Sequence, residues 1–216
     1  PDSKKLLWLS MEMPGYESDR NRLFQFNFET KQKTELLPTF DYSVDNVTWT
    51  SDSRMIVFTA AKNATKQIFL YDAFLKSAMP VRQVTDAQAD YNEITVAGAG
   101  ISMVIVASRT DYTMPSELYN VNPQTGAAKM ITYVSEPIWG TVKKSNVQKR
   151  MVKTTDGKEM LVWVIYPPDF DASKKYSNDF LWSGFTLFSL SPSRSIWPSI
   201  LIAATSFFSL RADIAV

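Results

Sequence analysis

Histidine and cysteine are both absent from the 216 residues, and these absences exclude more chemistry than any residue present suggests. Without cysteine there is no disulfide, thiol nucleophile, iron–sulfur site or thiolate zinc site. Without histidine there is no Ser-His-Asp triad, no imidazole-ligated zinc and no imidazole proton shuttle. Glycine is scarce at 7 residues while aromatics reach 13%, which argues against disorder and collagen-like repeats. Charge of one sign is lacking too. Lys plus Arg number 23 against 22 Asp plus Glu, and a net charge of +1 calls for neither nucleic acid nor an anionic membrane as partner. The longest uncharged stretch, Ser195 to Leu210, has 16 residues and contains Pro198. That is short of the roughly 20 that cross a bilayer as a helix, so no membrane partner is expected. A chain free of cysteine suits a bacterial periplasm as well as a cytosol. Pro1 is followed by no basic n-region or apolar h-region, as expected of a processed, cloned or internal start.

What is present is a repeat. Asp2-Ser3-Lys4-Lys5-Leu6-Leu7-Trp8-Leu9 aligns with Asp52-Ser53-Arg54-Met55-Ile56-Val57-Phe58-Thr59, in each case a polar corner feeding a short apolar run. Val104 to Ser108 repeats the run after Gly98-Ala99-Gly100. A second strand is expected at Leu23–Asn27, Ile68–Asp72 and Glu117–Val121, with an aromatic before Asn27, Asp72 and Asn120. An Asx there starts a turn by accepting from its own downstream backbone. Third strands are expected at Thr34–Pro38, Val81–Thr85 and Ala128–Thr132, and a fourth opens the next unit at Val44–Trp49 and Ile94–Val96. The fold class expected is mostly β: a partial β-propeller of about three four-stranded blades over residues 1–141. Propellers close at about four to eight blades, so the array looks cut. A β-sandwich with similar strand spacing is the alternative.

Beyond Val142 the text changes. Gln148 to Tyr166 reads as two strands around Asp156-Gly157, a hairpin signal, and Pro167-Pro168 ends the second strand because proline cannot donate to a ladder. Residues 142–176 are expected to form a linker and a first hairpin. Residues 177–216 hold nine serines and only four charges, Asp179, Arg194, Arg211 and Asp213, with no lasting helical or strand period. This segment reads as a divergent or out-of-frame tail.

These residues resemble the prolyl oligopeptidase family of serine peptidases, in its bacterial dipeptidyl-peptidase and acylaminoacyl-peptidase branch, the dipeptidyl-peptidase 5 type included. The corners Asp2-Ser3-Lys4 and Trp49-Thr50-Ser51-Asp52-Ser53-Arg54 are similar to the family's recurring blade corner. Val81-Arg82-Gln83-Val84-Thr85 is similar to its blade ending. Thr155-Asp156-Gly157-Lys158-Glu159, then Tyr166-Pro167-Pro168-Asp169-Phe170 and Lys174-Lys175-Tyr176, are similar to the junction where the family passes from propeller into α/β-hydrolase domain. The resemblance covers about residues 1–176 and implies the first strands of that domain. It also implies a parent that hydrolyses short peptides as a dipeptidyl or acylaminoacyl exopeptidase, in a periplasmic or secreted setting, with the propeller gating substrate and packing on the hydrolase domain. After Tyr176 the family's proline, apolar strand and oxyanion turn are replaced by Ser177-Asn178-Asp179-Phe180. Trp182-Ser183-Gly184-Phe185 is not a nucleophile elbow, and no catalytic, cofactor or metal residue can be carried over. The chain alone is expected to be inactive and to need no cofactor. A non-enzymatic propeller-like interaction module with a hydrophobic C-terminal tail is the alternative, and uncovered strand edges make self-association an expectation in either case.

Without histidine, acid–base work would fall to carboxylates, Lys or Tyr. The pairs on offer are Glu12/Glu17, Asp41/Asp45, Asp86/Asp90 and Asp169/Asp171. The middle two are read as equivalent inter-blade positions that form turns, and the last as turn and solvated residues. Asp86 to Asp90 has no glycine, so it makes a poor calcium loop. Lys143-Lys144 with Lys149-Arg150 forms a basic cluster, read as a solvated face. Trp8, Trp49, Trp139 and Trp163 are assigned to strands. Asn46-Val47-Thr48 and Asn63-Ala64-Thr65 match the glycosylation acceptor pattern.

Overall fold

In a computed structural model, residues 1–16, 19–74, 81–182 and 199–204 are described, and the chain divides into two compact units, Pro1–Gly140 and Thr141–Val216. The first unit holds three antiparallel sheets, each a meander of sequential strands. Blade 1 is β1 (Lys5–Ser10), β2 (Arg22–Asn27) and β3 (Lys33–Glu35) in the order β1-β2-β3. Blade 2 is β4 (Val44–Trp49), β5 (Met55–Lys62), β6 (Thr65–Asp72) and β7 (Val81–Gln83), in that order. Blade 3 repeats it with β8 (Asp90–Ala97), β9 (Val104–Asp111), β10 (Met114–Val121) and β11 (Ala128–Met130). Among the described residues blade 1 has three strands, none standing beside β1 as β4 and β8 stand beside β5 and β9.

One hydrogen-bond pattern recurs in all three blades. The backbone N–H groups of Leu36, Val84 and Ile131 donate to the carbonyls of Leu23, Ile68 and Leu118, at 2.9, 2.8 and 2.8 Å. In blades 2 and 3 the next residue is threonine: Ile68 N donates to Thr85 Oγ1 at 2.9 Å and Leu118 N to Thr132 Oγ1 at 2.8 Å. Blade 1 has Leu37 there, buried instead in the apolar layer between blades 1 and 2. The corners repeat as well. Asp2 and Asp52 accept from the backbone N–H two residues on, at 3.0 and 3.1 Å, and Ser3 and Ser53 both take φ of 58°. They also join neighbouring blades, since Asp2 N donates to Ser53 Oγ at 3.1 Å and Ser51 N to the Gly98 carbonyl at 3.3 Å.

Two apolar layers hold the blades together. Leu23, Leu37, Val44, Ile56, Phe58, Ala60 and Phe69 form the layer between blades 1 and 2. Val57, Ile68, Leu70, Tyr91, Ile105, Ala107 and Val121 form that between blades 2 and 3. Successive strand residues point to opposite faces, so β5 sends Ile56 and Phe58 to one layer and Val57 to the other.

The second unit contains β12 (Val147–Lys153), β13 (Glu159–Ile165), β14 (Ser177–Trp182) and β15 (Ser199–Ala204), in the sheet order β12-β13-β15-β14. The expected hairpin is β12 and β13, turned at Gly157 with φ of 81°, a left-handed conformation open to glycine at no steric cost. β13 and β15 are antiparallel, whereas β14 and β15 are parallel. The stretch 177–216, with no readable period, thus supplies two strands. Ser183, Gly184 and Phe185 lie outside the described residues.

Three local expectations are corrected. Asn120 does not start a turn: β10 runs on to Val121, and Asn122 Oδ1 accepts from Gln124 N at 2.8 Å and Thr125 N at 3.0 Å. Asn27 and Asp72 do behave as expected, accepting from Glu29 N and Phe74 N at 2.9 Å each. Trp139 is not in a strand but closes α1 (Glu136–Trp139). Pro137 suits the first helical turn, and Trp139 Nε1 donates to the Thr113 carbonyl at 2.5 Å. Finally, Asp45 is not the counterpart of Asp90. The register puts Ser43 there, since Asn21 N donates to Ser43 Oγ at 3.0 Å as Lys66 N does to Asp90 Oδ1 at 2.6 Å.

Candidate functional site

A cleft of about 200 Å³ opens in the propeller unit between the β5–β6 turn, the strand-to-strand linker before β8, and the β9–β10 turn. Ala64, Thr65, Gln88, Asp90, Thr110, Asp111 and Tyr112 line it. Each carboxylate already serves the backbone: Asp90 Oδ1 accepts from Lys66 N, and Asp111 Oδ1 accepts from Thr113 N at 2.7 Å and Thr113 Oγ1 at 2.8 Å. Lys66 itself reaches Asp45 Oδ2 at 2.8 Å. Burial, and next the charge of Asp90, push the Tyr112 phenol up. Below the few hundred Å³ of a drug-sized pocket, the cleft can hold a small polar or cationic group. It offers no nucleophile–base pair. Among the described residues no three His, Cys, Asp or Glu side chains converge as metal ligands.

The linker before β8 is held by Gln67, 1% exposed on β6. Its Nε2 donates to the Ala87 and Ala89 carbonyls at 2.8 and 3.0 Å, and its Oε1 accepts from Ala87 N at 3.2 Å. One side chain therefore satisfies three backbone groups of the linker between blades 2 and 3. Sequence reading passed over it, because a glutamine in an alternating strand carries no motif.

Glu117 was missed for the same reason. At 4% exposure it is the one buried carboxylate among the described residues. Oε1 accepts from Ser135 Oγ and Ser135 N at 2.5 and 2.7 Å, and Oε2 from Thr132 Oγ1 at 2.5 Å. Those bonds, the Ser135 hydroxyl first and the Thr132 hydroxyl next, hold its carboxyl down at about 2. A group so committed to the anion is a structural anchor for residues 132–135, poorly placed to trade protons near neutrality.

The remaining pairs do not assemble. Glu12 makes a long ion pair with Arg22, 3.9 Å, and Glu17 lies outside the described residues. Asp41 faces Arg20 at 3.7 Å with its side chain 99% exposed, and Asp86 is exposed. Asn46 occupies a β-bulge at φ of 46° and donates through Nδ2 to Thr59 Oγ1 at 3.1 Å; Asn63 is exposed at the β5–β6 turn.

In the second unit the junction motif turns out to be an aromatic cluster. Tyr166 and Phe170 have ring centroids 4.5 Å apart, and Phe170 and Tyr176 5.0 Å. They pack on Met160, Val162 and Val164, while Tyr176 Oη accepts from Asp171 N at 2.9 Å. Asp171 holds its own turn through Ser173 N and Ser173 Oγ at 3.0 and 2.7 Å, and the Ser173 hydroxyl keeps its carboxyl low. Asp169 pairs with Lys143 at 2.5 Å. The basic cluster is split: Lys149 and Arg150 are neighbours on β12 and point to opposite faces. Lys149 lies over Trp163, 5.9 Å from its centroid, and Arg150 bonds Tyr166 Oη.

Among curated proteins, dipeptidyl-peptidase 5 of Porphyromonas gingivalis is 43% identical over 176 residues, 82% of this chain and 25% of the relative. Dipeptidyl-peptidase 5 of Porphyromonas endodontalis is 39% identical, over 82% of this chain and 24% of the relative. The chain thus spans about a quarter of the length of these relatives. No family model matches it. Among solved structures, the acylaminoacyl peptidase of Pyrococcus horikoshii superposes with a TM-score of 0.68 at 15% identity, covering 94% of this chain and 31% of that one. A prolyl endopeptidase superposes with a TM-score of 0.57 at 15% identity, covering 94% and 30%. The fold is thus that of propeller-bearing peptidases, and by its sequence the chain is a stretch homologous to the dipeptidyl-peptidase 5 proteins, consistent with the prolyl oligopeptidase family.

Proposed function

We propose that the chain contributes propeller blades and the opening strands of the hydrolase domain to a serine exopeptidase that removes dipeptides from short peptides. The observation that supports this most is 43% identity to a dipeptidyl-peptidase 5 across both the blades and the junction. Chemistry in such an enzyme is acyl transfer by a serine activated through histidine, and this chain supplies no histidine. Its own part is architectural: blades that restrict access to peptides of small size, and an aromatic-sealed junction that starts the hydrolase sheet. The same relation is what supports a periplasmic or secreted setting, and fractionation of cells that express the chain tests it.

A chimera tests the reading directly. Residues 1–176 replace the matching segment of the Porphyromonas gingivalis relative, and hydrolysis of a dipeptidyl chromogenic substrate is measured. Retained hydrolysis, with kcat within about tenfold of the parent, is the expected result. A chimera that folds but hydrolyses nothing would count against the proposal.

A further inference from the structure

Two corners far apart in the sequence are built alike. In blade 2, Thr50 Oγ1 donates to Asp52 Oδ1 at 2.6 Å and Ser53 N to the Thr50 carbonyl at 2.9 Å. In the β12–β13 hairpin, Thr154 Oγ1 donates to Asp156 Oδ1, and Gly157 N to the Thr154 carbonyl at 2.9 Å. The residue after each aspartate takes a left-handed φ, 58° at Ser53 and 81° at Gly157. That residue is also where the corners part. Ser53 is buried, and its Oγ accepts from Asp2 N at 3.1 Å. Gly157 has no side chain, a Cβ placed there would meet nothing within 4 Å, and the Asp156 side chain is 54% exposed.

The difference matters for a reaction that a backbone runs on itself. An amide nitrogen can attack the side-chain carboxyl of the aspartate before it. The N–Cγ bond forms, a Cγ–O bond breaks, and water carries away the carboxyl hydroxyl and the amide hydrogen. A second water then opens the five-membered imide at either carbonyl. One opening restores aspartate; the other leaves isoaspartate, with the chain running through Cβ and Cγ and no change of mass. Glycine is the least hindered partner, because no Cβ shields its nitrogen. The hairpin corner opposes both requirements. The Thr154 hydroxyl first, and next the Lys158 ammonium 3.0 Å from Oδ2, hold the Asp156 carboxyl down at about 2. The anion has no hydroxyl to expel, and the Gly157 N–H is engaged by the Thr154 carbonyl.

We propose that Asp156-Gly157 is the site at which this chain isomerises spontaneously to isoaspartate, and that the clamp of Thr154 and Lys158 on Asp156 sets how slowly it does so. The product inserts a Cβ into the backbone of a turn whose strands are paired from Lys153 and Glu159 onward, so it loosens the start of the β12–β13 ladder. At Asp52 the same clamp is joined by a buried serine, and that corner does not isomerise.

The test ages the full-length chain at neutral pH beside a synthetic peptide of residues 151–161, which has no fold to hold the clamp. Isoaspartate is counted by methyl transfer from a protein isoaspartyl methyltransferase and located by peptide mapping. Formation at Asp156 and not at Asp52, slower in the chain than in the peptide, is expected. Thr154→Val should speed it about three- to tenfold, the size of one lost hydrogen bond expressed as a rate, while Thr154→Ser, which keeps the hydroxyl, should leave it unchanged. Lys158→Met, at an exposed position, should give a smaller rise and serves if the valine variant fails to fold. A chain that isomerises as fast as the peptide, equal formation at Asp52, or Thr154→Val and Lys158→Met both no faster than the unmodified chain overturns the proposal.

Discussion

Blade 2 and blade 1 share a corner, a register and a hydrogen-bond scheme, yet they differ in how the strand after the corner is covered. β5 is buried along Ile56, Val57, Phe58, Thr59 and Ala60, whereas in β1 Leu6 is half exposed and Trp8 partly so. Among the described residues the same local chemistry thus serves a strand covered on both faces and one covered on a single face. What separates them is the neighbour. Burial on two faces demands continuous apolar residues, and both strands offer them, Leu6 to Leu9 in β1 and Met55 to Phe58 in β5, so the two differ in their covering among the described residues and not in their run.

Substitutions at matched positions sharpen the comparison. Phe58 is fully buried, stacked on Phe69 at 5.6 Å and edge-on to Phe40 at 5.5 Å. Phe58→Ala should cost about 3–5 kcal/mol, read as a lower midpoint in urea unfolding. Trp8→Ala, at the same register position of blade 1, should cost only about 1–2 kcal/mol. Equal losses would show that the blades are not distinguished by their covering. Next in size is Gln67→Leu, which strands the Ala87 N–H and two carbonyls that Gln67 satisfies. Each unsatisfied buried group costs about 1–3 kcal/mol, and the linker amides 86–89 should then exchange hydrogen faster than those of β9.

The blades were legible from the sequence because turns and apolar runs are local signals. The Asp2 and Asp52 corners, the Val84-Thr85 ending and the Gly157 hairpin all declared themselves. What was not legible depended on partners distant along the chain. Glu117 and Gln67 are polar residues in ordinary strands until the fold brings Ser135 to one and Ala87 to the other. Asn120 and Trp139 were misread because a turn that starts two residues later, at Asn122, and a single helical turn leave little trace in a short window. The junction motif was recognised as a pattern, but its physical content, the packing of Phe170 against Tyr166 and Tyr176, needed coordinates.

Two smaller effects test the same contrast. At Gly126 a Cβ would lie 2.1 Å from the Val84 carbonyl oxygen, where the blade 3 hairpin turn meets blade 2, while at Gly157 it would meet nothing within 4 Å. Gly157→Ala should cost about 1–2 kcal/mol from left-handed strain alone, and Gly126→Ala more, in thermal unfolding. The smallest effect concerns acid. Glu117 has its carboxyl lowered from 4.5 to about 2 in the fold, so the stability it adds is complete above about pH 4.5 and is lost as pH falls toward 2. Glu117→Gln should flatten the stability profile across that window, and an unchanged acid limb would show that the Ser135 and Thr132 bonds do not set it.

The central claim is that this chain carries blades and a junction homologous to a quarter of the dipeptidyl-peptidase 5 proteins, and no histidine with which to run a serine triad. The most direct measurement is incubation of the purified chain with a dipeptidyl chromogenic substrate, alongside labelling with a fluorophosphonate. No hydrolysis above buffer and no covalent label are expected. Saturable hydrolysis that the fluorophosphonate abolishes, with one label per chain, would contradict the account.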